Sequence, residues 1–183
     1  MPFTPYHLGP SGFLALVFRK WIDLPVFVLA NVVVDIEVLV IGILDLGWPV
    51  HRYAHTLLLG AAVGIAWAIA AYPLRNIFAA LMQLIRLPYR TSLWKMIISG
   101  ILGVWLHVLI DSVYHFDLRL FWPNKKISLH RMIVRHLGYK NDEPLKDRIE
   151  IACIILLLAA VTLYVLVVNL PSAKKSPRAS SRS

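Results

Sequence analysis

The sequence predicts an all-α polytopic membrane protein, a helical bundle of about four transmembrane helices plus an N-terminal half-inserted helix. Three observations lead there. Hydrophobic residues make up 58% of the 183. The mean hydropathy is +0.67. Charged residues are only 16%, against about 25% in soluble domains, so one soluble core cannot bury so much apolar surface. Four stretches reach the ~20 apolar residues that a bilayer crossing needs.

The first span covers about 25–44 and is apolar except for Asn31, Asp35 and Glu37. The second, about 54–74, has no Asp, Glu, Lys or Arg. The third, about 94–115, contains Lys95, His107, Asp111 and His115, and the fourth, 151–170, is uncharged. Residues 11–18 are apolar but too short to cross. Residues 76–85, before Leu87-Pro88, read as an interfacial helix. Trp21, Trp48, Trp94 and Trp122 fall near span ends, where amphipathic rings favour the headgroup level. Gly60, Gly64 and Ala68 form a small-residue ridge on the second span, and Ser99 and Gly103 form one on the third; both predict close helix packing. Together these make one embedded domain over 1–170 with a polar loop at 116–149, followed by a basic, disordered tail at 171–183.

The formal net charge is +9. In a membrane protein such a surplus points to topology and anionic headgroups, so the bilayer is the expected partner and nucleic acid is not. With both termini inside, ten Lys and Arg lie on the inner face and nine on the outer. The outer set is accompanied by acidic residues in a long loop, which places both termini in the cytoplasm. Cys153 is the single cysteine, so neither a disulfide framework nor a cysteine zinc site is available within one chain. The first residues show no basic n-region or cleavage site of a secretory signal.

Ionisable groups at membrane depth cost at least ~2.5 kcal/mol each on insertion scales and mark functional sites. Asp35, Glu37, His107 and Asp111 are such groups, with His51 and His55 at the mouth of the second span. His51 and His55 are four residues apart, as are His107 and Asp111. That spacing puts each pair on one helix face, and neutral imidazole and carboxylate are both metal donors. Asp35 and Glu37 are separated by ~200° on a regular helix, so both cannot face one site unless the helix breaks there. Depth counting agrees with a common site. If Arg19 and Lys20 mark one membrane face, His7, Asp35 and His107 each lie roughly 18–20 Å above it and His55 ~29 Å. The bland alternatives are a hydrogen-bonded His107–Asp111 pair that only packs helices, and an Asp35–Arg52 ion pair. His115, His130 and His136 are expected to be solvated or interfacial.

Taken together, Pro-Phe-Thr-Pro-Tyr-His at the start, Val-Asp-Ile-Glu at 34–37, His-Arg-Tyr-Ala-His-Thr at 51–56, Gly-Val-Trp-Leu-His-Val-Leu-Ile-Asp-Ser at 103–112 and the later Leu-Phe-Trp-Pro resemble the YdjM-like family of membrane-bound, metal-dependent hydrolases. That family is distantly similar to zinc-dependent phospholipase C. The likeness covers residues 1–123 in order and approximate spacing. It implies a metal site made of His7, His51, His55, His107 and Asp111, with Asp35 bridging metals or acting as general base. Arg52, Glu37 and Thr56 would stand behind the ligands or touch substrate. The family usually reads Pro-Asp-Ile-Asp where this chain has Val34-Asp35-Ile36-Glu37, and its central motif is one residue longer.

The expected function is hydrolysis of a phosphoester or ester in an amphiphilic or lipid substrate, by water activated on a divalent metal. Zinc is the first expectation because imidazole dominates the donor set. The expected place is a prokaryotic cytoplasmic (inner) membrane. Two other classes are a divalent-cation or proton transporter and a non-catalytic membrane scaffold. The first requires a continuous polar path; the second requires no bound metal.

Overall fold

The computed structural model describes residues 5–45, 53–123, 128–139 and 141–169. The helices are α1 (Pro5–Val17), α2 (Leu24–Val34), α3 (Ile36–Ile43), α4 (Leu57–Ala71), α5 (Arg75–Leu84), α6 (Leu93–Tyr114), α7 (Leu129–His136) and α8 (Glu143–Asn169). A 3₁₀ turn, Tyr72–Leu74, joins α4 to α5. Among the described residues there is no strand. Four helical runs are long and apolar enough to cross a membrane: Leu24–Ile43, Leu57–Leu84, Leu93–Tyr114 and Glu143–Asn169. This is an all-helical membrane protein.

Local chemistry starts the helices where they start. Asp23 caps α2 by accepting from Val26 N at 3.1 Å. Thr56 caps α4 through Leu59 N at 3.2 Å, Ser92 caps α6 and Ser128 caps α7. Each supplies an acceptor for an N–H that the first turn leaves without a helical partner.

The bundle is built on α6. Its buried residues, Met96, Ser99, Gly100, Gly103, Val104, His107, Val108 and Asp111, recur at three and four and so form one stripe. Against that stripe lie α4 and α2. The small residues set the spacing. A Cβ on Gly64 would sit 2.7 Å from the Gly100 carbonyl, and one on Gly103 would sit 2.4 Å from Phe27 O. The predicted ridges thus make backbone-to-backbone crossings. Trp67 and Trp105 donate their indole N–H groups to Val26 O and Leu57 O.

Two boundaries differ from the sequence reading. α1 begins at Pro5, not near residue 11, and its 13 residues span about 20 Å. It packs parallel to α8: Gly9 meets Cys153 and Leu157, Gly12 meets Ala160, and Leu16 clusters with Ala160. The start of α1 therefore lies at the same end as the start of α8. α8 begins eight residues before 151, so the polar loop is shorter than 116–149. In α5, Phe78 packs against Ala68, Ala71 and Met96 and Met82 against Leu16 and Ala160. The basic tail 171–183 and Trp48 lie outside the described residues.

Candidate metal centre

The site begins with a break in a helix. α2 ends at Val34 and α3 starts at Ile36, with Asp35 as the hinge between them. Nothing in Val34-Asp35-Ile36-Glu37 signals the break, because the residues are all compatible with a helix. Its effect is to bring both carboxylates toward the segment before α4. Glu37 Oε1 accepts from Tyr53 N at 2.9 Å. Glu37 Oε2 accepts from Ala54 N at 3.0 Å and lies 3.2 Å from His55 Nδ1. The two carboxylates, ~200° apart on a regular helix, face one site because the helix is interrupted between them.

Asp35, His55, His107 and Asp111 converge, with one donor atom from each lying within 4.8 Å of the others. His107 Nε2 stands 3.2 Å from Asp35 Oδ1 and 3.1 Å from Asp111 Oδ2. His55 Nε2 stands 3.7 Å from Asp35 Oδ1 and 3.9 Å from Asp111 Oδ2. Donors ~2.0 Å from a tetrahedral ion stand about 3.3 Å apart; the two His107 separations match that spacing, and the two His55 separations are wider. His107 Nε2 is buried and near two carboxylates, yet makes no aligned hydrogen bond. Two carboxylates with two neutral imidazoles carry a formal charge of −2, which a divalent cation cancels; buried uncompensated charge is expensive. The group can hold a metal ion.

The surroundings orient the donors. With His55 Nδ1–H donating to Glu37, His55 Nε2 is left to face the cluster. A carboxylate behind a ligating imidazole fixes its tautomer and ring position in this way. Behind Asp111 stands His7, with Nε2 3.1 Å from Oδ1. The His7 ring stacks on His107 with centroids 4.1 Å apart and planes at 17°. Ser11 Oγ donates to the His7 carbonyl at 2.7 Å. Asp35 and Glu37 side chains are 22% and 19% exposed, whereas those of His55 and His107 are sealed. The approach to the cluster is therefore on the α2–α3 side.

The structure thus brings together four of the predicted residues and revises others. His7 sits beside the donor group, on the far oxygen of Asp111, rather than within it. Asp35, expected to bridge metals or act as base, stands among the donors. Thr56 is a buried helix cap whose hydroxyl donates to Tyr53 O. His51 and Arg52 lie outside the described residues. His130, expected to be solvated or interfacial, is buried and bonded to Val113 O at 2.6 Å.

Sequence reasoning missed the polar knot at the opposite end. Asp23 Oδ2 accepts from Tyr89 OH at 2.9 Å and from Thr91 Oγ1, and Asp23 N donates to Ser99 Oγ at 2.7 Å. An Asp just before Leu-Pro is a helix-start signal, and it could have been read from the sequence. Burial and the Asp23 carboxylate push the Tyr89 phenol well above the usual tyrosine value.

No protein-family profile, curated protein or solved structure matches this chain. Fold and site together define a helical membrane protein with a buried His/Asp group able to hold a metal ion.

Proposed function

We propose that this protein is a metal-dependent hydrolase of a prokaryotic cytoplasmic membrane, similar to the YdjM-like family, acting on a phosphoester or ester of an amphiphilic substrate. The single observation that carries the proposal is the convergence of Asp35, His55, His107 and Asp111 on one point. Two imidazoles and two carboxylates make zinc the preferred ion. A divalent ion bound there supplies an acidified water and an electrophile for a phosphoryl or carbonyl oxygen.

The chain's own residues do the rest. Glu37 holds the His55 ring, His7 holds Asp111, and the stacked His7 and His107 rings exclude water from the inner side. Asp35 is the most exposed of the four; with His55, His107 and Asp111 as the three ligands that leave a position open for water, its carboxylate is the group that meets an entering water and takes its proton. Transport is less well supported. Beneath the cluster, Ala30, Val34, Val104 and Val108 form a buried apolar core, whereas a cation path needs polar groups throughout.

The test is elemental analysis of detergent-purified protein, followed by a phosphoester and ester panel that includes short-chain phospholipids. Wild type should carry about one equivalent of metal, and His107→Ala and Asp111→Ala should not. Asp35→Asn should lower turnover by ~10² or more. A wild-type protein that remains metal-free after zinc is supplied would refute the site. A loaded protein that turns over nothing in the panel would refute the activity.

A further inference from the structure

α7 has no part in the cluster, yet it is the most amphipathic helix of the bundle's site end. Its position is set by His130, which is buried and bonded to the carbonyl of Val113 in the last turn of α6. α7 therefore sits where α6 leaves the membrane, less than one helical turn above Asp111 along the chain. Gly138, at φ +67, ends the helix, with Gly138 N donating to Arg135 O and Tyr139 N to Val134 O; glycine is the residue that adopts this conformation without strain.

The outward faces of α7 carry Arg131, Met132, Arg135 and His136, and Leu137 follows exposed. Arg131 and Arg135 are four apart and share one face. Met132 is 59% exposed and Leu137 47%, in a segment tied at both ends to membrane-spanning helices. Between Leu118 and Asn141 the chain has six Lys and Arg and no Asp or Glu. Exposed Phe116 and Phe121 lie in the same connection. A short basic helix with exposed apolar side chains, pinned at headgroup level, has the chemistry of an interfacial anionic-lipid surface.

We propose that the Arg131–Arg135 face of α7 docks anionic phospholipid headgroups at the membrane face that carries the His/Asp cluster. Met132 and Leu137 enter the headgroup–acyl boundary while the two guanidinium groups take the phosphates. The proposal is independent of whether the cluster is catalytic.

The experiment places a bimane fluorophore on Met132→Cys in a Cys153→Ala background, with the protein in nanodiscs of mixed phosphatidylcholine and phosphatidylglycerol. Trace lipid carries a headgroup spin label on one species or the other. Quenching by labelled phosphatidylglycerol should exceed that by labelled phosphatidylcholine by about fivefold, the gain expected per basic residue at an anionic surface. The preference should vanish in 1 M salt, where the screening length is ~3 Å, and in Arg131→Gln/Arg135→Gln. It should survive in Arg131→Lys/Arg135→Lys, which keeps the charge. Equal quenching by both lipids in wild type overturns the proposal, as does a preference untouched by charge removal. Protection of the fluorophore by an RNA oligonucleotide with no lipid preference assigns the surface to nucleic acid and overturns it too.

Discussion

Glu37 Oε2 lies 3.2 Å from His55 Nδ1, joining the start of α3 to the turn before α4 across 18 positions of chain. The same carboxylate also receives the backbone N–H groups of Tyr53 and Ala54. One side chain thus holds both the ring of His55 and the segment that carries it. The consequence is that Glu37 orients one member of the His/Asp group without belonging to its four donors.

Removing that carboxylate should loosen metal binding without emptying the site. Glu37→Ala should weaken zinc affinity by about 10–100-fold, the usual effect of losing the partner behind a ligating histidine. Competition with a chromophoric chelator in detergent measures it, with helix content by circular dichroism as the folding control. An affinity equal to wild type would show that His55 needs no such support.

His7 and Asp111 separate a ligand from its neighbour. His7→Phe keeps a ring to stack on His107 but loses the 3.1 Å contact to Asp111. Metal stoichiometry should stay near one per chain while affinity falls by roughly tenfold or more. Asp111→Ala should abolish binding. If His7→Phe also empties the site, His7 is itself a ligand.

The Gly64–Gly100 crossing sets the α4–α6 distance. Gly64→Ala should destabilise the protein by about 1–3 kcal/mol, because the new Cβ meets backbone that cannot rotate away. Gly42→Ala is the matched control: nothing lies within 4 Å of a Cβ there, so helix propensity alone should make it neutral or stabilising by up to ~1 kcal/mol. Thermal unfolding in detergent compares the two. Equal effects would mean the crossing is looser than described.

At the far end, Asp23→Ala removes the cap of α2 and the acceptor of Tyr89 and Thr91. The expected cost is about 2 kcal/mol or more, with metal content unchanged because the knot and the cluster occupy opposite ends. The Tyr89 phenol, raised by burial and by Asp23, contributes stability that is complete below the ordinary tyrosine pKa of about 10. That contribution is lost as pH rises further, through the folded-state value. Melting curves of wild type and Tyr89→Phe should therefore converge in alkali. Parallel curves over that range would remove Tyr89 from the account.

Span number, helical class and the packing ridges were legible in the sequence because each depends on local composition and spacing. Twenty apolar residues must become helix in a bilayer, where backbone groups have no water to bind. A pair at i and i+4, such as His107 and Asp111, shares a face wherever the helix goes. The convergence of His55, His107 and Asp111 with Asp35 was within reach of depth counting, since helical rise is constant. What only the tertiary structure decided was rotation and break. The interruption at Asp35 has no Pro or Gly to announce it, and it turns Glu37 from the far side of a helix to the back of His55. Likewise, His7 lies at the right depth for a ligand, but the packing of α1 beside α8 sets it on the outer oxygen of Asp111. Depth along a helix follows from counting residues; the angle about its axis follows from what the neighbouring helices leave room for.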